Sequence, residues 1–297
     1  MDAQQTRQGV LLALAAYFIW GIAPAYFKLI SYVPADEILT HRVIWSFFFM
    51  VALISLSRQW RQAKKILATP RKLLGLGLTA VLVGGNWLLF IWAVNNHHML
   101  EASLGYFINP LVNVLLGMLF LGERFRRMQW LAVILAACGV LVQLWTFGSL
   151  PVIALGLAFS FAFYGLVRKK IAVDAQTGML VETLWLLPVA AIYLFGIADS
   201  PTSHMADNPW SLNLLLIAAG VVTTVPLLCF TGAATKLRLS TLGFFQYIGP
   251  TLMFLLAVTF YGEVPGPDKL VTFGFIWVAL ALFITDAVYT QRRNRLR

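Results

Sequence analysis

The chain is 297 residues long, 60% of them hydrophobic and only 11% charged, with a formal net charge of +10. A soluble chain usually carries about 25% charged residues, and one of this length could not hide so much apolar surface while covering its outside with polar groups. The positive charge does not describe a nucleic-acid groove either, because the bases stand in short clusters between long apolar runs.

A helix needs about 20 apolar residues to cross the hydrocarbon core of a membrane. On that measure the sequence predicts spans near 8–30, 36–57, 73–95, 101–121, 128–147, 151–168, 178–198, 211–233, 239–261 and 269–289. The first run outlasts the roughly 7–15 apolar residues of a signal core, so it is expected to stay attached as a span. It carries Trp20-Gly21 and, near its outer end, Lys28. Span two starts with Asp36 and Glu37 and holds His41 and Arg42. Arg42 lies about six residues in, roughly 9 Å below the start at 1.5 Å per residue.

Span three contains Asn86 and Trp87, with Asn95 at its outer end. Span four opens on Glu101, has Asn109 and Asn113 flanking Pro110, and closes on Gly122-Glu123. Small residues at Ala132, Ala136 and Gly139 suit close packing of span five. Glu182 lies near the inner end of span seven and Asp286 near that of span ten. Thr223, Thr224 and Pro226 fall in span eight, and Gln246 and Tyr247 precede Gly249-Pro250 in span nine. These are continuous runs, whereas a barrel would alternate in ten-residue segments. The fold class is therefore an all-α membrane protein of ten transmembrane helices.

Lys and Arg orient the chain, since they concentrate in cytoplasmic segments. With the N-terminus inside, 19 of the 22 fall in cytoplasmic segments, and Lys28, Arg42 and Lys269 are the exceptions. Segments 96–100 and 199–210, expected outside, have none. Both termini are expected in the cytoplasm.

The chain repeats itself. Pro110 is followed by Gly122-Glu123 and Pro250 by Gly262-Glu263, an offset of 140 residues. Leu104-Gly105-Tyr106-Phe107 resembles Leu242-Gly243-Phe244-Phe245, and Trp20-Gly21 corresponds to Tyr164-Gly165. Five spans per copy is odd, so the second copy is inverted. Residues 1–147 and 148–297 are expected to be two inverted five-helix repeats, a plan of secondary transporters with the solute site near midplane.

These features resemble the EamA branch of the drug/metabolite transporter superfamily: ten spans, the duplicated Gly-Glu ending, Trp20-Gly21 followed by Lys28, and Arg42 in span two. Residues 16–30, 85–98 and 101–123 look specifically like RarD-type permeases. The resemblance covers almost the whole chain and implies a permease of the bacterial inner membrane. The label of RarD-type proteins concerns chloramphenicol sensitivity, which implies movement of drugs or metabolites. Small multidrug relatives use a glutamate inside their first helix; span one here has no acid, which speaks against proton/lipophilic-cation exchange by that route.

An ionisable group inside a span is a functional candidate because its burial is costly. The acids here sit toward span ends, and the buried charge that remains is positive. Arg42 and Lys28 favour anionic, zwitterionic or polar neutral solutes. The alternatives are that Lys28 snorkels to the interface and that Arg42 pairs with Glu37 or Glu101. The candidate solute-binding residues are Trp20, Lys28, Arg42, Asn86, Trp87, Asn109, Gln246 and Tyr247, with Asn109-Pro110 and Gly249-Pro250 as paired helix breaks that wall or gate a cavity. Inter-helix hydrogen bonding alone is the competing account of the amides.

No phosphate loop offers direct ATP drive, which leaves proton or ion coupling. No cofactor motif is present, His97-His98 has no further metal-ligand pattern, and Cys138 and Cys229 sit apart in apolar runs. No His-acid cluster on the inner side supports an enzyme. The expected function is secondary transport of small organic solutes, export included, with membrane lipid as the surrounding partner. The alternative is a non-transporting membrane partner subunit.

Overall fold

The computed structural model describes residues 3–96, 98–260, 262 and 264–295. Among these there are twelve helices: α1 (Ala3–Leu29), α2 (Ala35–Leu56), α3 (Trp60–Leu67), α4 (Pro70–Asn95), α5 (Met99–Leu121), α6 (Arg127–Phe147), α7 (Val152–Ile171), α8 (Ala175–Gly196), α9 (Trp210–Lys236), α10 (Leu239–Gln246), α11 (Ile248–Thr259) and α12 (Pro267–Arg295). They supply ten segments long and apolar enough to cross a membrane.

Twelve helices against ten predicted spans has two causes: one extra helix and one split span. Segment 58–72 contains the short helix α3, which buries Ala63 and Ile66 and exposes Arg61, Lys64 and Lys65. Residues 63 and 66 are three apart, so they share a face. Span nine is split into α10 and α11 at Tyr247. The cause is Pro250, whose ring clashes with the carbonyl four residues earlier, on Gln246, and which offers it no N–H. Pro110 makes the same demand on Tyr106, yet α5 runs through it.

The Gly-Glu pair that ends the first copy has a local reason. Gly122 takes φ 63°, the left-handed conformation that a helix C-cap favours, and Glu123 N donates to Gly117 O at 3.0 Å. Gly262 takes φ 64° in the second copy; Glu263 lies outside the described residues.

The packing runs mostly between the halves. α1 packs on α9 and α11, α2 on α8 and α9, α4 on α7 and α8, α5 on α7 and α10, and α6 on α12. The pairing of α1 with α9 is mirrored by that of α7 with α4, as an inverted pair of five-helix repeats requires.

Candidate functional site

Arg42 is the eighth residue of α2 and sits half-buried. Its Nε donates to Thr223 Oγ1 of α9 at 2.8 Å, which ties the second span of one half to the third of the other. The guanidinium carbon lies 4.8 Å from the Trp87 ring centre on α4 and 5.4 Å from that of Phe27 on α1. Such contacts hold a cation by the negative faces of the rings. The hydroxyl groups of Tyr26 on α1 and Tyr106 on α5 are within its electrostatic reach. Tyr26 is fixed in turn by donating to Leu215 O of α9.

Among the described residues no carboxylate comes within 4.0 Å of Arg42. Glu37 instead accepts from Thr202 Oγ1 at 2.9 Å. Glu101 accepts from Ile153 N at 2.7 Å and so caps the first turn of α7. The structural pairing offered as the alternative for Arg42 is therefore not made. His41 accepts from Trp45 Nε1 at 3.2 Å, and its Nε2 is buried with no partner.

Of the sequence candidates, the structure brings Arg42 and Trp87 together. Asn109, Gln246 and Tyr247 belong to a separate network between the halves. Asn109 Nδ2 donates to Ala158 O at 2.5 Å, Asn113 Nδ2 bridges Asn109 Oδ1 at 3.1 Å and Gln246 Oε1 at 3.3 Å, and Tyr247 OH donates to Phe107 O at 3.1 Å. Asn86 Nδ2 donates to Leu157 O and Ser160 Oγ of α7, both at 2.9 Å. Trp20 stands in a ring cluster with Tyr17, Phe161 and Phe230 at 5.7–5.9 Å. Lys28 is exposed at the end of α1. Pro110 is buried against Gly243 of α10, while Pro250 lines a cavity of about 320 Å³ whose wall also includes Tyr106, Gln143, Phe254 and Thr272. His97 lies outside the described residues, and His98 stacks on Trp92 and stands 3.6 Å from Glu101.

A second buried charge centre was not singled out from sequence. Arg168 of α7 and Glu182 of α8 are each 1% exposed, with Nε and Oε1 3.5 Å apart. Thr79 Oγ1 donates to Glu182 Oε1 at 2.6 Å and Tyr164 OH to Oε2 at 3.2 Å. Arg168 adjoins Lys169 and Lys170 and so resembles a loop base. The usable signal was the 140-residue offset, which carries Arg42 onto Glu182.

Ten apolar spans in two inverted halves, with a cation held between them, define a multi-pass membrane transporter. A profile of the EamA-like transporter family matches residues 7–145 and again 149–285, and the chain belongs to that family. It is 88% identical over 294 residues to Protein RarD of Salmonella typhimurium (strain LT2), covering 99% of this chain and 100% of that one. Protein RarD of Escherichia coli (strain K12) is 85% identical over 294 residues, with 99% of each chain covered. The Chloramphenicol-sensitive protein RarD of Pseudomonas aeruginosa is 34% identical, with 98% of each covered. One solved structure shares the fold with a TM-score of 0.72 at 17% identity, covering 92% of this chain and 96% of that one.

Proposed function

We propose that the chain is a secondary transporter that moves small organic metabolites or drugs across the bacterial inner membrane by alternating access, driven by a proton or ion gradient. Its two halves, 1–147 and 148–297, share one passage, and both termini lie in the cytoplasm. Arg42 faces that passage from the outer side and biases it toward solutes with a negative or partly negative group. The observation that carries this reading is the setting of Arg42: bound to Thr223 of the other half, bracketed by Trp87 and Phe27, and without a carboxylate within 4.0 Å among the described residues. A half-buried cation without a protein counter-charge makes its surroundings electropositive. Trp20, Lys28, Asn86, Asn109, Gln246 and Tyr247 are proposed as further parts of the passage, moving with it or lining it in another state.

The test is a solute-uptake screen in reconstituted vesicles, with and without a pH gradient. Chloramphenicol, which the Pseudomonas relative's name mentions, is the first compound to try. Arg42→Gln lowers transport of the solute found and leaves the protein folded. Arg42→Lys restores part of it, because an ammonium lacks the planar two-pronged donor set. Unchanged transport by Arg42→Gln rejects the electropositive passage.

A further inference from the structure

Arg42 is the eighth residue of α2 and Glu182 the eighth of α8. The two positions are 140 residues apart, the spacing of the Gly-Glu repeat. Both lie about 10 Å along their helices from the starting end, which for an inverted pair means equal depth from opposite faces. Each is hydrogen-bonded to a threonine on the third span of the other half: Arg42 to Thr223 of α9, Glu182 to Thr79 of α4. The charged positions correspond with the sign reversed, and each meets a threonine on the third span of the opposite half, Thr223 standing one turn further along α9 than Thr79 does along α4.

Their surroundings differ. The outer arrangement is half-buried and has aromatic rings where a counter-charge would stand. At the inner one Arg168 fills the corresponding space. Gly178 makes room for it, since a Cβ there would lie 1.9 Å from Arg168 Nη1. The fit is close but poorly bonded, because Nε, Nη1 and Nη2 of Arg168 are buried with no hydrogen-bond partner. Tyr164, which bonds Glu182, also stacks on Phe230 at 6.1 Å, and Phe230 adjoins Trp20 at 5.9 Å. The ion pair thus sits against a wall of rings that spans both halves.

A buried pair of this kind adds little net stability, since desolvation offsets the attraction. Its guanidinium gains hydrogen bonds as soon as water reaches it. We propose that Arg168 and Glu182 form the latch of the inner gate: paired, they close the cytoplasmic end, and parted, they open Glu182 and Thr79 toward the passage, as Arg42 is already half-open at the outer end. The proposal rests on the alternating-access reading above: Arg168 and Glu182 both belong to the second half, so the opening is a parting of α7 from α8 within that half, while the Thr79 bond ties α8 to the first half.

The experiment needs no solute. In a chain with Cys138 and Cys229 replaced by alanine, a single reporter is placed by Phe230→Cys on the inner ring wall or by Phe90→Cys at the outer end of α4, and alkylation by N-ethylmaleimide is timed. Glu182→Gln raises the rate at position 230 by about tenfold or more, since removing one member of a buried pair shifts the population strongly, and lowers the rate at position 90. The double exchange Arg168→Glu with Glu182→Arg returns both toward the parent. No change at 230, or a rise at both reporters together, overturns the latch: the first leaves no gate, and the second is general loosening. Should Glu182→Gln not be recovered folded, Arg168→Lys takes its place, with a smaller rise at 230 expected and no rise again fatal. A failed latch leaves the Arg42 transport result standing, and normal transport by Arg42→Gln leaves the latch result standing.

Discussion

Gly117 and Glu123 offer a perturbation whose sign reverses with background. Glu123 follows the C-cap of α5, yet its carboxylate serves α10. Oε1 accepts from Leu239 N at 2.7 Å, and Oε2 accepts from Ser240 N at 3.1 Å and Ser240 Oγ at 2.5 Å. Those amides open a helix and have no partner within it. Two charge-assisted bonds at about 1.5 kcal/mol each, less some compensation by water, put Glu123→Ala at about 2–3 kcal/mol of destabilisation. A Cβ on Gly117 would lie 2.7 Å from Glu123 Oε2, and its two next nearest neighbours belong to the same carboxylate. Gly117→Ala therefore displaces Glu123 from the α10 amides and costs about 1–2 kcal/mol, after crediting alanine's advantage of about 1 kcal/mol within a helix. With Glu123 already removed the three nearest atoms are gone, and that advantage is what remains. Gly117→Ala should then stabilise the Glu123→Ala protein by up to about 1 kcal/mol. Thermal unfolding in detergent, followed by far-UV circular dichroism on all four proteins, reads this directly. If Gly117→Ala shifts stability by the same sign and amount in both backgrounds, the capping account is wrong.

Three further outcomes follow from the geometry. Gly220→Ala would set a Cβ 2.5 Å from the Trp45 carbonyl carbon, a backbone atom, and is expected to cost about 2–3 kcal/mol, while Gly77→Ala, 3.1 Å from the movable Trp185 ring, stays within about 1 kcal/mol; the comparison is read by the same unfolding assay. Asn109→Ala removes the bond to Ala158 O and the acceptor for Asn113, and a loss of about 1–2 kcal/mol is expected for one inter-helix amide. Single cysteines in 58–72 should resist an impermeant thiol reagent applied outside and those in 199–210 should react; the reverse pattern would overturn the orientation.

Hydrophobic length made the ten spans readable, because only helices and closed barrels satisfy the backbone inside lipid and these continuous runs lack a barrel's alternation. The features that escaped share a cause, which is that their signal lies in a partner distant in sequence. Arg42 stood out as a charge in an apolar run, but Thr223 is an ordinary hydroxyl until α9 is laid against α2. Glu182 was read as near an inner end because its span was started at 178; the helix begins at Ala175, capped by Asp174 on Thr177 N at 3.0 Å, and that extra turn carries Glu182 deeper. Arg168 was hidden by the two lysines that follow it. The split at Tyr247 was half-legible: Pro250 announced a bend, but Pro110 announced one equally in α5, where the helix continues.

The interleaving of the halves also bears on how the chain assembles. Tyr26 of α1 bonds a carbonyl on α9 from 189 residues away, and α1, α2 and α5 all find their main neighbours in the second half. As synthesis proceeds, the first five spans enter the bilayer with their small-residue and amide faces still turned to lipid. Each is secure as an inserted helix, but none has the surface it will finally rest on. The first half must therefore persist as a loose raft until α9 and α10 arrive. The connection at 148–151 joins the two rafts and only caps the helices on either side, Gly148 closing α6 and Pro151 opening α7. A chain severed there should assemble when both pieces are supplied to the same membrane, whereas either piece alone would remain inserted and unpacked.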